Sequence, residues 1–147
     1  MNKIVVIYGS YCSGKLGFFA DSVQTGDQFV DLTEFDRNAI LLAPDKDGEA
    51  LDLNSACAET SIELIGNYVK ASGDFTVWVI AEHKETLARI MELHPLAQVA
   101  VMPASEADCL RELNGRDNDA EDNQLASACI SRWHEHHTPE IRPVVLN

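Results

Sequence analysis

The residues Gly9-Ser10-Tyr11-Cys12-Ser13-Gly14-Lys15-Leu16 match the phosphate-binding pattern G-x-x-x-x-G-K-[ST] at every position except the last. Glycines at both ends of such a loop let its N–H groups turn inward. The helix that follows contributes unpaired N–H groups and the positive end of its dipole, and Lys15 adds a full charge. Gly9 to Leu16 are therefore expected to form an anion hole. Leu16 stands where Ser or Thr would offer a hydroxyl to Mg²⁺, and leucine has no oxygen to give. Ser10 or Ser13 could supply that hydroxyl, or Mg²⁺ could rest on water and a carboxylate.

Two other groupings have residue types capable of chemistry. In His134-Glu135-His136-His137, two imidazoles lie one helical turn apart, but a third metal ligand is missing. They read as a polar helix end, where imidazoles sit well beside the negative dipole end. Cys12, next to Lys15 at a helix N-terminus, is expected to have a lowered thiol pKa and to be sensitive to oxidation. No His or Asp partner identifies it as a nucleophile. Cys57, Cys109 and Cys129 form no C-x-x-C pair with it or with each other, so all four read as reduced thiols.

The elements that position the loop follow from periodicity. Ile4–Tyr8 is a continuous β-branched and aromatic run, as expected of a strand buried on both faces. The order strand, glycine loop, helix (15–23) places the loop in the context an anion site requires. A second strand is expected over 28–32 and a polar turn over Thr33-Glu34-Phe35-Asp36; 39–43 shows no decisive pattern, and 44–49 is turn chemistry. A helix over 52–70 has two candidate inward stripes, one through Leu53, Cys57, Leu64 and Tyr68, the other through Ala58, Ile62, Ile65 and Val69. Strands follow over 75–81 and 98–102, with helices over 84–94 and 105–113. A mobile loop is expected over 114–123, then a helix over 124–136 burying Leu125, Cys129 and Trp133, and a last strand at 144–146. Strands alternating with helices predict one α/β domain over residues 1–147: a mainly parallel sheet in a three-layer sandwich.

Composition narrows the partners. The chain has 147 residues, 46% hydrophobic and 24% charged, which is globular composition. Eleven basic against 24 acidic residues give a net charge of −13. Such a surface repels bulk nucleic acid and anionic lipid, so neither is an expected partner, whereas a basic protein could dock on it. The apolar run near the start is too short for a signal-peptide core or membrane span, and a cytoplasmic location is expected.

With the loop in place, the chain resembles small P-loop kinase-like NTPases carried by bacteriophages and prophages. The resemblance rests on Val5-Val6-Ile7-Tyr8 with the loop to Lys15, on Phe29-Val30-Asp31-Leu32, and on Val77-Trp78-Val79-Ile80 before a helix with Arg89. It continues through Val99-Ala100-Val101-Met102-Pro103 to Cys109-Leu110-Arg111 and Gly115-Arg116-Asp117, and closes with Ile130-Ser131-Arg132-Trp133 and His137-Thr138-Pro139. It implies an ATP or GTP site at Gly9–Leu16, with Lys15 on the β and γ phosphates and Asp31 as the strand-end carboxylate for Mg²⁺ or the phosphate acceptor. It makes Arg111 and Arg116 lid cations. Thr33 stands where a second carboxylate of an Asp-x-Asp pair is often found, and Glu82 could replace a missing metal-organising acid. Two functional classes follow: a kinase or NTPase carrying out Mg²⁺-dependent phosphoryl transfer, or a non-catalytic descendant that senses nucleotide or docks a protein through its acidic surface.

Overall fold

The computed structural model describes residues 1–42, 48–116 and 118–139. In chain order these form β1 (Lys3–Tyr8), α1 (Lys15–Ser22), β2 (Gln28–Asp31), α2 (Thr33–Leu42), α3 (Gly48–Lys70), β3 (Thr76–Ala81), α4 (Lys84–Leu93), β4 (Gln98–Val101), α5 (Glu106–Asn114) and α6 (Ala120–His136). The four strands make one sheet in the order β2-β3-β1-β4, and every pairing is parallel. Parallel neighbours require crossovers, and the helices between strands supply them.

Side chains along β1 alternate between the two faces. Ile4, Val6 and Tyr8 join Val30, Val77 and Val79 in a core closed by Ile40 of α2, Ile62, Ile65 and Val69 of α3, Ile90 of α4, and Cys129 and Trp133 of α6. On the opposite face Val5, Ile7, Trp78 and Ile80 pack under Phe18 and Phe19 of α1. The result is a mixed α/β fold with helices on both faces of a four-strand parallel sheet, consistent with the three expected layers. No described helix is long and apolar enough to cross a membrane.

Several element expectations need correction. Thr33–Asp36 is not a turn: Thr33 opens α2, which runs on through the unassigned 39–42. The Asp31 carboxylate accepts the Thr33 amide hydrogen at 2.9 Å and so ties down the start of this helix. In α3, Leu53, Cys57 and Leu64 face solvent, and Ile62, Ile65 and Val69 face the sheet. The reason is that only the C-terminal half of α3 rests on strands. Its earlier part runs along α2, where Asn54 donates to the Phe35 carbonyl at 2.8 Å. Leu125 is exposed, so α6 turns inward only from about Cys129. The expected loop over 114–123 gives way to helix at Ala120, because the Asp119 carboxylate caps α6 on the Asp122 amide at 2.8 Å. Most of the turn expected over 44–49, the strand expected at 144–146 and Asp117 lie outside the described residues.

Candidate functional site: the loop after β1 and the buried ions beneath it

β1 and β3 are neighbours, yet α1 leaves β1 onto one face of the sheet while α4 leaves β3 onto the other. That divergence opens a crevice at the carboxyl ends of the two strands, where parallel α/β sheets place their ligands. The loop from Gly9 to Gly14 lines one side of it.

The loop geometry follows from its residues. Gly14 has φ +91°, and Cys12 has φ +63°, the one described non-glycine residue with a left-handed backbone. Gly9 is tightly packed: a Cβ there would lie 2.6 Å from Ser13 Oγ and 2.9 Å from Met102 Cβ. The Ser13 amide donates back to the Ser10 carbonyl at 3.2 Å. No side chain caps α1 at Gly14, so the first-turn amides of the helix face the crevice without an internal acceptor. This is the donor arrangement that oxyanions occupy at helix N-termini.

Lys15 is buried, only 5% exposed, and its ammonium turns beneath the loop. It donates to the Ser10 carbonyl and forms an ion pair with Glu82 Oε2 at 2.8 Å. Glu82, just past β3, is fully buried. Its carboxylate also holds Arg37 of α2 in a two-pronged pair, Nε to Oε1 at 2.8 Å and Nη2 to Oε2 at 2.9 Å. One buried carboxylate thus has two cations. The Arg37 guanidinium in turn lies 4.0 Å from the centre of the Tyr11 ring, while that of Arg116 lies 5.5 Å from it. Tyr11 therefore links the loop to α2 and to the end of α5.

A layer of polar groups below fixes Glu82. Asp36, 1% exposed, accepts the amide hydrogens of Glu82 at 2.7 Å and His83 at 3.1 Å, and the Thr86 hydroxyl at 2.6 Å. Burial is the largest influence on its carboxyl and raises it to about 7, against the pull of those hydrogen bonds. The Trp133 indole donates to the Glu82 carbonyl at 2.6 Å. The Tyr8 hydroxyl donates to the His137 carbonyl at 2.7 Å, and burial raises its pKa. His137 itself accepts the Lys84 amide hydrogen at 3.3 Å; burial, then the charge of neighbouring His83, lowers it to about 4.

Above the ions lies an open cleft of about 620 Å³ bounded by the loop residues Tyr11 to Leu16 and by Asp31, Arg37, Asp108, Glu112 and Arg116. The structure therefore brings Asp31 and Arg116 to the same cleft as the loop. Arg111 does not line the cleft; 76% exposed, it pairs with Asp108 at 3.2 Å. Leu16 is 64% exposed at the cleft wall. Glu82 lies beneath the cleft, with both oxygens given to cations. Burial pushes the Cys12 thiol up, outweighing the opposing Arg116 charge, so the expected lowering does not occur. Arg37 and Asp36 escaped the sequence reading as site residues; the only signal for them was an acid closing the segment read as a turn and a base directly after it.

The fit to Mg²⁺ can be judged from the donors. Among the described residues no three His, Cys, Asp or Glu side chains cluster to hold a metal. Leu16 has no oxygen, and the Glu82 carboxylate already serves two cations. His134 and His137 do not form a metal site either, since the His137 Nδ1 is taken by the Lys84 amide. The residues present do not fit a protein-held Mg²⁺.

No family model matches the chain, and no curated protein sequence matches it. Among solved structures it is similar to TT1252 from Thermus thermophilus, at 16% identity over 86% of this chain and 78% of that one, with a TM-score of 0.51. It is also similar to a chain of the Pnkp1/Rnl/Hen1 RNA repair complex, at 14% identity and a TM-score of 0.50. That match covers 94% of this chain and 46% of the other, so this chain spans less than half of that relative's length. At these identities the likeness shows the α/β fold alone.

Proposed function

We propose that the cleft binds the phosphate tail of ATP or GTP and that the chain is a small P-loop kinase-like phosphotransferase or NTPase. The observation that carries this reading is the loop between β1 and α1: left-handed at Cys12 and Gly14, uncapped at the helix start, and backed by a buried lysine. In it, the first-turn amides and Lys15 would neutralise charge on the terminal phosphates, before and during transfer. Asp31, exposed at the end of β2 on the same cleft, would accept the proton of an acceptor hydroxyl or orient a water. Arg116 would cover the phosphates from the end of α5.

A second reading is a non-catalytic nucleotide sensor or acidic docking module. Leu16 at the hydroxyl position and the full occupation of Glu82 by cations favour it.

Calorimetric titration with ATP and GTP, with and without Mg²⁺, paired with a phosphate-release assay, separates the two. Nucleotide binding and turnover that both vanish in Lys15→Ala support the enzyme; binding without turnover, indifferent to Mg²⁺, supports the sensor. Absence of any nucleotide binding to the wild-type chain would overturn both nucleotide readings.

A further inference from the structure

The buried carboxylate under the loop occupies the very ammonium group that an incoming phosphate needs. Lys15 borders the cleft but is only 5% exposed, and its Nζ is engaged from beneath by Glu82 Oε2 at 2.8 Å and by the Ser10 carbonyl. A ligand phosphate therefore competes with Glu82 for this ammonium. Glu82 is not left alone when it loses Lys15, because Arg37 remains on both of its oxygens. The three groups together hold one positive charge in excess. Asp36 does not offset it through a direct pair, since its oxygens are spent on the Glu82 and His83 amides and the Thr86 hydroxyl. An excess of positive charge at the floor of the cleft, below the first-turn amides of α1, favours an anion entering above.

We propose that Glu82 is an internal competing anion that latches Lys15 in the free protein and makes the site selective for polyphosphate chains over single phosphate groups. The proposal rests on the phosphate-binding reading of the cleft and adds the group that regulates it. Orthophosphate must break the Lys15–Glu82 pair for the return of one ammonium and a few amides. A di- or triphosphate meets the loop amides along its length before it reaches Lys15, so contacts already made offset the cost of opening the pair. Arg37 keeps Glu82 paired throughout, and its stacking on Tyr11 ties the loop to α2 while Lys15 moves.

The test compares the wild-type chain with Glu82→Gln, titrated with orthophosphate, tripolyphosphate and ATP in the absence of Mg²⁺. In the wild type, tripolyphosphate and ATP should bind and orthophosphate should bind far more weakly. In Glu82→Gln, orthophosphate should gain about tenfold or more, and the gap between mono- and polyphosphate should narrow. Because that variant leaves buried Lys15 and half-buried Arg37 with a neutral partner and can fail to fold, a second measurement uses the wild type alone. In its structure with tripolyphosphate, Lys15 Nζ should leave Glu82 for the phosphate while Arg37 stays in place. If wild-type protein binds tripolyphosphate with the Lys15–Glu82 pair intact, or Glu82→Gln folds and shows no gain for orthophosphate, the latch is refuted and the binding site stands. If the wild type binds neither tripolyphosphate nor ATP, the nucleotide reading fails and the latch falls with it.

Discussion

At the scale of single residues, Gly9 shows how tightly the loop is built. A Cβ there would press on Ser13 Oγ, which can rotate away, and on Met102 Cβ, which cannot. Gly9→Ala should therefore displace the loop from the end of β4, cost about 1–3 kcal/mol, and weaken tripolyphosphate binding. Denaturant unfolding and calorimetry would read the two effects. Ser13→Ala added to Gly9→Ala should not restore binding, since Met102 still blocks the new methyl; full restoration would show that the crowding argument is wrong. Gly14→Ala meets no neighbour within 4 Å, but at φ +91° it should cost roughly 1–2 kcal/mol through backbone strain alone. Both glycines and Lys15 were legible in the sequence because the pattern demands them by spacing. Glu82 was read there as an acid that could organise a metal, since spacing along the chain says nothing about the two cations that fold onto it.

At the scale of elements, α2 connects the loop, β3 and α4. Its buried Asp36 holds the Glu82 and His83 amides, and Arg37 next to it holds the Glu82 side chain. This helix was hidden in the sequence because its first turn, Thr33-Glu34-Phe35-Asp36, has the polar make-up of a turn. The acid that looked exposed is in fact paired by amides from an element about 46 residues away in the chain. By contrast β1, β3 and their helices were legible, because buried parallel strands read as continuous apolar runs. The pH dependence of α2 can be predicted. Asp36 titrates at about 7 when folded, against 3.8 as its ordinary value. The folded state then binds more protons than the unfolded state between those pH values, so this group's contribution to stability falls as pH rises from about 4 to 7. The full effect is about 4 kcal/mol at most. His137 acts in the opposite sense: lowered to about 4 from 6.5, it withdraws stability as pH falls through that interval. The wild-type profile mixes both, so the difference between wild type and Asp36→Asn isolates the acid. Asparagine can still accept both amides and donate to Thr86, and the variant should gain stability relative to wild type steadily from pH 4.5 to 7.5. A difference that stays flat across that range would show that Asp36 does not titrate there.

At the scale of the whole molecule, a charge of −13 on 147 residues sets a background that the local site must overcome. The proposed phosphate site lies in a field that repels anions at long range, so under that proposal amides and cations fixed within a few ångströms have to do the binding. The same field strains the fold itself. Ion pairs on the described surface, such as Arg89–Glu59 at 2.9 Å and Arg116–Glu112 at 3.7 Å, are exposed and contribute little, because solvent and salt screen them. The Lys15–Glu82 pair is buried and largely shielded from dissolved ions, and Arg37, about a third exposed, reaches the buried Glu82 from the cleft side. Added salt therefore removes little that holds the molecule together and relieves much of the repulsion between its acids. Raising NaCl from about 20 to 300 mM shortens the screening length from roughly 20 Å to below 10 Å, and the melting temperature should rise by a few degrees. The rise should shrink when several exposed acids, such as Asp52, Glu63 and Glu92, are replaced by lysine. A melting temperature that falls with salt in the wild-type chain would mean that exposed ion pairs outweigh self-repulsion, and that the stability of this fold depends on its surface rather than on the core around the sheet.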